Sequence, residues 1–166
     1  KVALVSTPDY KLIQGHPNNL AMLEDSIIEM GDFRVKLIGY HENTFFTGQG
    51  YIDSVFYGAA PAAEIHVWNN KLGINVAGWV SPGTFAVRNS VLDLGKGYAV
   101  GLTNPEPKVY SSDLEIITPN QQSENVEIIV NKPYKFNRWK LYQTGYDSQR
   151  GKYSRISILE AVFDPW

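Results

Sequence analysis

Hydrophobic and polar positions change period along this chain. In "NNLAMLEDSIIEM", Leu20, Leu23, Ile27 and Met30 fall at i, i+3, i+7 and i+10, one face of a helix. Asn18 or Asn19 would cap that short N-terminal helix and Gly31 would end it. Beyond Gly31 the pattern alternates. "DFRVKLIGY" sets Phe33, Val35 and Leu37 against Arg34 and Lys36, a half-buried strand. Residues 43–61, rich in Gly, Phe and Tyr, read as a long loop or irregular strand. "AEIHVWN", "GINVAGWV" and "TFAVRN" then read as short strands joined by "NKLG" and "SPG" turns, and "DLGKG" turns the chain into "YAVGLTN". Four more strands follow, "KVYSSDLEII", "NVEIIVN", "RWKLYQTGY" and "YSRISILEAVF", divided by Pro, Asn and Gly clusters. The expected fold is mainly β: an antiparallel β-sandwich or barrel-like domain of about eight to ten strands with one short N-terminal helix.

The stretch "NKPYKFNRWKLYQTGYD" interrupts this regularity. Asn131 can hydrogen-bond the backbone two residues on. Pro133 removes a ladder donor and forces Lys132 to be extended. Pairing resumes after Arg138. Strict alternation then sets Trp139, Leu141 and Gln143 on one face, with Lys140, Tyr142, Thr144 and Tyr146 on the other. Two tyrosines on one face either cover the core edge or form a surface that stacks on a ligand.

Composition narrows the function classes. A chain of 166 residues with 43% apolar content can bury about 70% of its unfolded surface and is too apolar for disorder. The length favours one domain over 1–166. A small N-terminal piece, 1–44, with a boundary near Thr44–Gly58, is the alternative division. A net charge of −2 leaves no basic footprint for nucleic acid. Cysteine is absent, which excludes disulfides, Cys-ligated zinc and thiol nucleophiles. The most apolar stretch, "GINVAGWVSPGTFAV", is broken by Asn75, Ser81, Pro82 and Thr84 and falls short of the ~20 residues of a membrane span. With no initiating Met and no signal-peptide pattern, the chain reads as a piece of a longer protein.

Candidate chemistry is sparse. His16, His41 and His66 lie 25 residues apart, with no short metal-ligand spacing. They read as surface or satisfied histidines. Carboxylates pair at Glu24/Asp25, Asp113/Glu115 and Glu124/Glu127. Asp113 and Glu115 share a strand face, which suits glycosidase-like chemistry or, more simply, the solvent side. "GQGYIDS" and "GKGYAVG" lack a phosphate-loop pattern, and no G-x-S-x-G elbow exists. No catalytic or metal-binding residue is therefore assigned.

The order of "VEIIVNKP", "WKLYQTGYD" and "YSRISILEAVFDPW" resembles the extracytoplasmic domain of the ResB family, membrane proteins of the system II pathway for cytochrome c maturation. The shared pieces fall on Asn131 and Pro133, on Tyr142, Gln143 and Tyr146, and on Asp164 and Pro165. "DFRVKLIGY" and "EPKVYSSDLEI" resemble the family's early Phe-bearing strand and its Pro-x-x-(aromatic)-Ser strand. The similarity is concentrated in 104–166, with a second patch at Phe33–Tyr40 and almost none over 41–103. Thr144 and Gly145 stand where the family often has Ser-Ser, and Trp166 where Gly often follows Asp-Pro. A divergent branch, or a ResB–ResC fusion, would account for both departures.

This resemblance implies a non-catalytic domain on the periplasmic side of a bacterial cytoplasmic membrane, with spans flanking the chain. It would scaffold apocytochrome c or a ResC-like partner while the full complex handles haem, and this domain would bind no cofactor itself. The partner surface would lie around Trp139, Tyr142 and Tyr146. Two other classes stay open: a carbohydrate-binding module with coplanar exposed aromatics, and a barrel enclosing an apolar ligand among Phe85, Trp79 and Leu102.

Overall fold

A computed structural model of the chain describes residues 2–7, 9, 11, 13, 26–104, 110–117 and 120–164. Those residues form thirteen strands in several antiparallel sheets, and their one helical element is a single 3-10 turn, Gly151–Tyr153. The chain divides into two compact units, Lys1–Pro105 and Glu106–Trp166. No described helix is long and apolar enough to cross a membrane.

The first unit holds β1 (Val2–Ser6), β2 (Ile27–Met30), β3 (Phe33–Phe46), β4 (Tyr51–Asp53), β5 (Ala60–Asn69), β6 (Ile74–Val80), β7 (Val91–Gly95) and β8 (Tyr98–Leu102). One sheet runs β2-β3-β5-β6, with β4 paired to β3, and a second runs β1-β8-β7. The alternation in β3 is the one its sequence carries: Phe33, Val35 and Leu37 are buried. They pack with Val2 and Leu4 of β1, Ile65 and Val67 of β5, and Val100 of β8 in one core. Thr44 of β3 pairs with Ala60 of β5 and with Asp53 of β4.

The helix expected from 18–30 does not form in its described part. Ile27–Met30 is strand β2: Ile28 and Met30 are buried, while Ile27 and Glu29 are exposed. Two adjacent β-branched residues favour a pleated strand. Pairing Ile28 with Val35 and Met30 with Phe33 covers their apolar face. Gly31, at φ 63°, makes the hairpin turn rather than a helix end. Asn18, Asn19, Leu20 and Leu23 lie outside the described residues.

"TFAVRN" is not a strand either. A bridge between Ser81 and Ser90 closes a loop around it. Within that loop Thr84 Oγ1 accepts from the amides of Ala86 and Val87 and donates to the Gly58 carbonyl. These side-chain bonds take up backbone groups that a ladder would need.

The second unit holds β9 (Ser111–Ile117), β10 (Ser123–Ile129), β11 (Tyr134–Phe136), β12 (Trp139–Tyr146) and β13 (Ser157–Phe163). β9 and β10 form one hairpin, and β11-β12-β13 form a three-stranded sheet. Val126 and Ile128 of β10 are buried, as their alternation predicts. Links between the two sheets run from Ser112 Oγ to Ser157 Oγ at 2.6 Å and from the Tyr146 hydroxyl to that of Tyr110 at 3.2 Å.

Candidate functional site

Two tight turns build the segment that leads into β12. Val130 and Asn131 reverse the chain after β10, with Asn131 at φ 67° and Lys132 N–H donating to the Ile129 carbonyl at 2.9 Å. Asn tolerates this left-handed region better than most residues. Pro133 then supplies no ladder donor, and pairing begins again at Tyr134. Asn137, at φ 54°, and Arg138 make the second turn, which sets Trp139 opposite Phe136.

Strict alternation along β12 fails at Thr144. Gln143 pairs with Leu159, but Gly145 pairs with Ile158, so Thr144 is the extra residue of a β-bulge. Its hydroxyl donates to the Ile158 carbonyl at 3.1 Å. One inserted residue shifts every later side chain to the opposite face. Tyr146 therefore joins Gln143, Leu141 and Trp139, while Tyr142 stays with Lys140 on the other face. The two tyrosines expected together are separated, because a bulge does not obey a period of two.

The regrouping creates a pocket of roughly 290 Å³ lined by Tyr110, Ser111, Gln143, Tyr146, Lys152 and Ile156, among others. Tyr110 and Tyr146 stack with centroids 4.8 Å apart and a 36° tilt. Gln143 is 8% exposed, and its Oε1 is the one buried side-chain polar atom among the described residues with no hydrogen-bond partner. Sequence reading named Gln143 and Tyr146 but not the rest of the lining. The available signal was "VYSSD", whose Tyr110-Ser111 step supplies the facing wall.

β13 is the second notable feature. All seven of its residues are exposed or nearly so, including Ile158 at 56% and Phe163 at 49%. It pairs with β12 along one edge, and no described strand pairs with the other. Trp139 stacks on Phe163 at 5.1 Å, both rings half exposed. The end of β13 is clamped to β12. Asp164 N–H donates to the Arg138 carbonyl at 2.7 Å, and Lys140 Nζ reaches Asp164 Oδ2 at 2.7 Å. The hydrogen bond to Asp164, and then its charge, hold Lys140 above the ordinary lysine pKa. Pro165 lies outside the described residues.

Other sequence candidates fall elsewhere. His41 Nδ1 meets Asp53 at 2.8 Å and His66 Nε2 meets Asn75 at 2.5 Å, so both are hydrogen-bonded. His16, Glu24 and Asp25 lie outside the described residues. Asp113 and Glu115 are exposed on one face of β9, with Glu127 directly opposite Asp113. Glu124 instead accepts from the Tyr134 phenol and raises its pKa. Among the described residues no group of three or more His, Asp and Glu side chains could hold a metal ion. Phe85, Trp79 and Leu102 have different packing partners. Phe85 stacks on Tyr57, Trp79 on Tyr51 and His41, and Leu102 packs on the first unit's core.

A family model described as the ResB-like family matches residues 74–163, more than half of the chain. It begins at β6, so it takes in 74–103, where little similarity was expected, and leaves Phe33–Tyr40 outside. No curated protein and no solved structure matches the chain significantly.

Proposed function

This chain belongs to the ResB-like family, and so to cytochrome c biogenesis, and from that premise we propose that it is a non-catalytic domain holding an extended segment of apocytochrome or of a partner along β13. The observation that carries this reading is the exposed, unpaired outer edge of Ser157–Phe163. Such an edge offers a row of free N–H and C=O groups to another strand. Natural edges are usually blunted by Lys, Pro or inward-pointing charge. β13 carries one charged residue, Glu160, and apolar side chains on both faces. An added strand would gain ladder bonds and pack its alternate side chains against them.

In this reading the domain stands on the extracytoplasmic side of a bacterial cytoplasmic membrane, between flanking spans. Haem is handled by a ResC-like partner, fused or separate. A cysteine-free surface gives a reduced apocytochrome no disulfide partner. A carbohydrate-binding module is less well supported, since it needs a flat platform of rings. The exposed pairs here are tilted, Tyr57/Phe85 by 53° and Trp139/Phe163 by 57°.

The test is the double substitution Leu159→Lys and Val162→Lys in the full-length membrane protein, read by haem attachment to a reporter cytochrome c. Lysines on an edge strand discourage pairing without removing buried contacts. The expected result is a several-fold fall in mature cytochrome at unchanged protein level. Normal maturation would contradict the proposal.

A further inference from the structure

The first unit carries apolar surface that neither its own core nor the β13 edge accounts for. Thr44 opposite Ala60 and Ala63 opposite Val80 bring the end of β3, the start of β5 and the end of β6 to one end of their sheet. The sequence supplies that end with almost no charge. Between Glu42 and Glu64 it has one charged residue, Asp53, and between Lys71 and Arg88 it has none. The core there is thin: Ala60, Ala62 and Val87 are buried with Tyr51. Larger side chains stay outside it. Phe45, Phe46, Ile52, Tyr57 and Phe85 are exposed, and Val55 is 94% exposed.

Local bonds hold these side chains outward. Thr84 Oγ1 donates to the Gly58 carbonyl, which ties the 81–90 loop to the connection before β5, and Phe85 stacks on Tyr57 at 5.3 Å. Gly58, at φ 106°, permits that close approach, since a Cβ there would meet Ala86 at 2.6 Å and the Phe85 ring at 3.0 Å. In the β3–β4 hairpin Phe45 stands opposite Ile52 and Phe46 opposite Tyr51. Successive strand residues point to opposite faces, so both faces of this hairpin are apolar. Its turn, Thr47–Gly50, is uncharged, and Asp53 is bonded to His41 Nδ1 at 2.8 Å.

That arrangement selects among partners. A folded protein covers one face of a hairpin. A strand partner needs a long open edge, and β4 has only three residues. A lipid surface surrounds both faces at once and favours uncharged, aromatic-rich segments. The ResB-like family is membrane-associated, so a bilayer belongs to the chain's surroundings.

We infer that this end of the first unit, made by the β3–β4 hairpin with the 54–58 and 81–90 loops, is a lipid-contact site that dips into the interface of a phospholipid bilayer. Burial of apolar surface drives the contact, with no need of anionic headgroups. The site does not depend on what β13 holds.

The test uses the whole 166-residue chain, which is free of cysteine, so one introduced thiol takes a unique environment-sensitive fluorophore. Val55→Cys places the probe among the exposed apolar side chains. Asn70→Cys places it in the turn at the other end of the same sheet. With phosphatidylcholine vesicles the probe at position 55 is expected to shift to the blue and to be quenched by lipids brominated on their acyl chains. The probe at position 70 is expected to do neither. Adding Phe46→Ser and Ile52→Ser to the Val55→Cys chain should weaken vesicle binding at least about tenfold, the scale of one apolar side chain's lost burial. Added salt should change little, because the contact is not ionic. A probe at position 55 that stays in water at high lipid concentration overturns the proposal, and this result stands even if the serine variant fails to fold. Equal quenching at both positions overturns it too, as general adsorption. So does binding that salt reverses, which would mark an ionic contact through Arg88. A blue shift that grows with protein concentration in the absence of vesicles would overturn it as well, by marking contact between copies of the chain.

Discussion

Strands β5 and β13 have similar apolar chemistry and opposite surroundings. β5, "APAAEIHVWN", lies between β3 and β6, and seven of its ten residues are buried. β13, "SILEAVF", has one neighbour, and none of its seven residues is buried. Apolar content thus builds a core in one unit and an exposed edge in the other. An apolar strand that its own unit leaves uncovered marks a place where another chain can pair.

The sharpest way to break that contrast is to truncate one isoleucine from each strand. Ile65→Ala in β5 removes a fully buried side chain and should cost about 2–5 kcal/mol in denaturant unfolding. A loss below about 1 kcal/mol would mean that β5 is not the packed centre described here. Gln143→Met should move stability the other way, gaining up to about 1 kcal/mol by removing an unmatched buried acceptor. A clear loss would mean that the amide has a structural partner.

The clamp at the end of β13 gives a pH test. Lys140 titrates above its ordinary value in the folded chain. A raised folded pKa contributes stability that is fully present below the unfolded value, about 10.4, and is lost as pH rises through the folded one. The link from β12 to Asp164 should therefore hold through neutral and mildly alkaline pH and weaken only above that range. Asp164→Asn should bring the Lys140 titration back towards normal in side-chain NMR. The reading must be site-resolved, because the Tyr134 phenol, bonded to Glu124, also titrates above its usual value. The smallest effect belongs to Ile158→Ala in β13, expected within about 0.5 kcal/mol of the parent.

Much of the fold was legible where a single period ran unbroken, as in Phe33, Val35 and Leu37 or Val126 and Ile128. Reading failed where local bonds or pairing overrode the period. Ile27 and Met30 fit a helical face on paper, but pairing with β3 made them a strand. Thr84 bonds turned "TFAVRN" into a loop. In the candidate site, the Tyr-Gln-x-x-Tyr motif was visible, yet the Thr144 bulge that brings Gln143 and Tyr146 together leaves no mark on composition or spacing. Tyr110 is 36 residues from Tyr146, and only the folded second unit makes them neighbours. Nor could the sequence separate a covered apolar strand from an open one.

Site-specific photo-crosslinking in the full-length membrane protein tests the central claim most directly. A photoreactive residue at Val162, on the exposed β13 edge strand, is compared with one at Val76 of β6 in the presence of apocytochrome c. The account predicts an adduct with apocytochrome or a partner protein from Val162, lost when Leu159 is changed to Lys, and little from Val76. No adduct from Val162, or equal adducts from both positions, would contradict it.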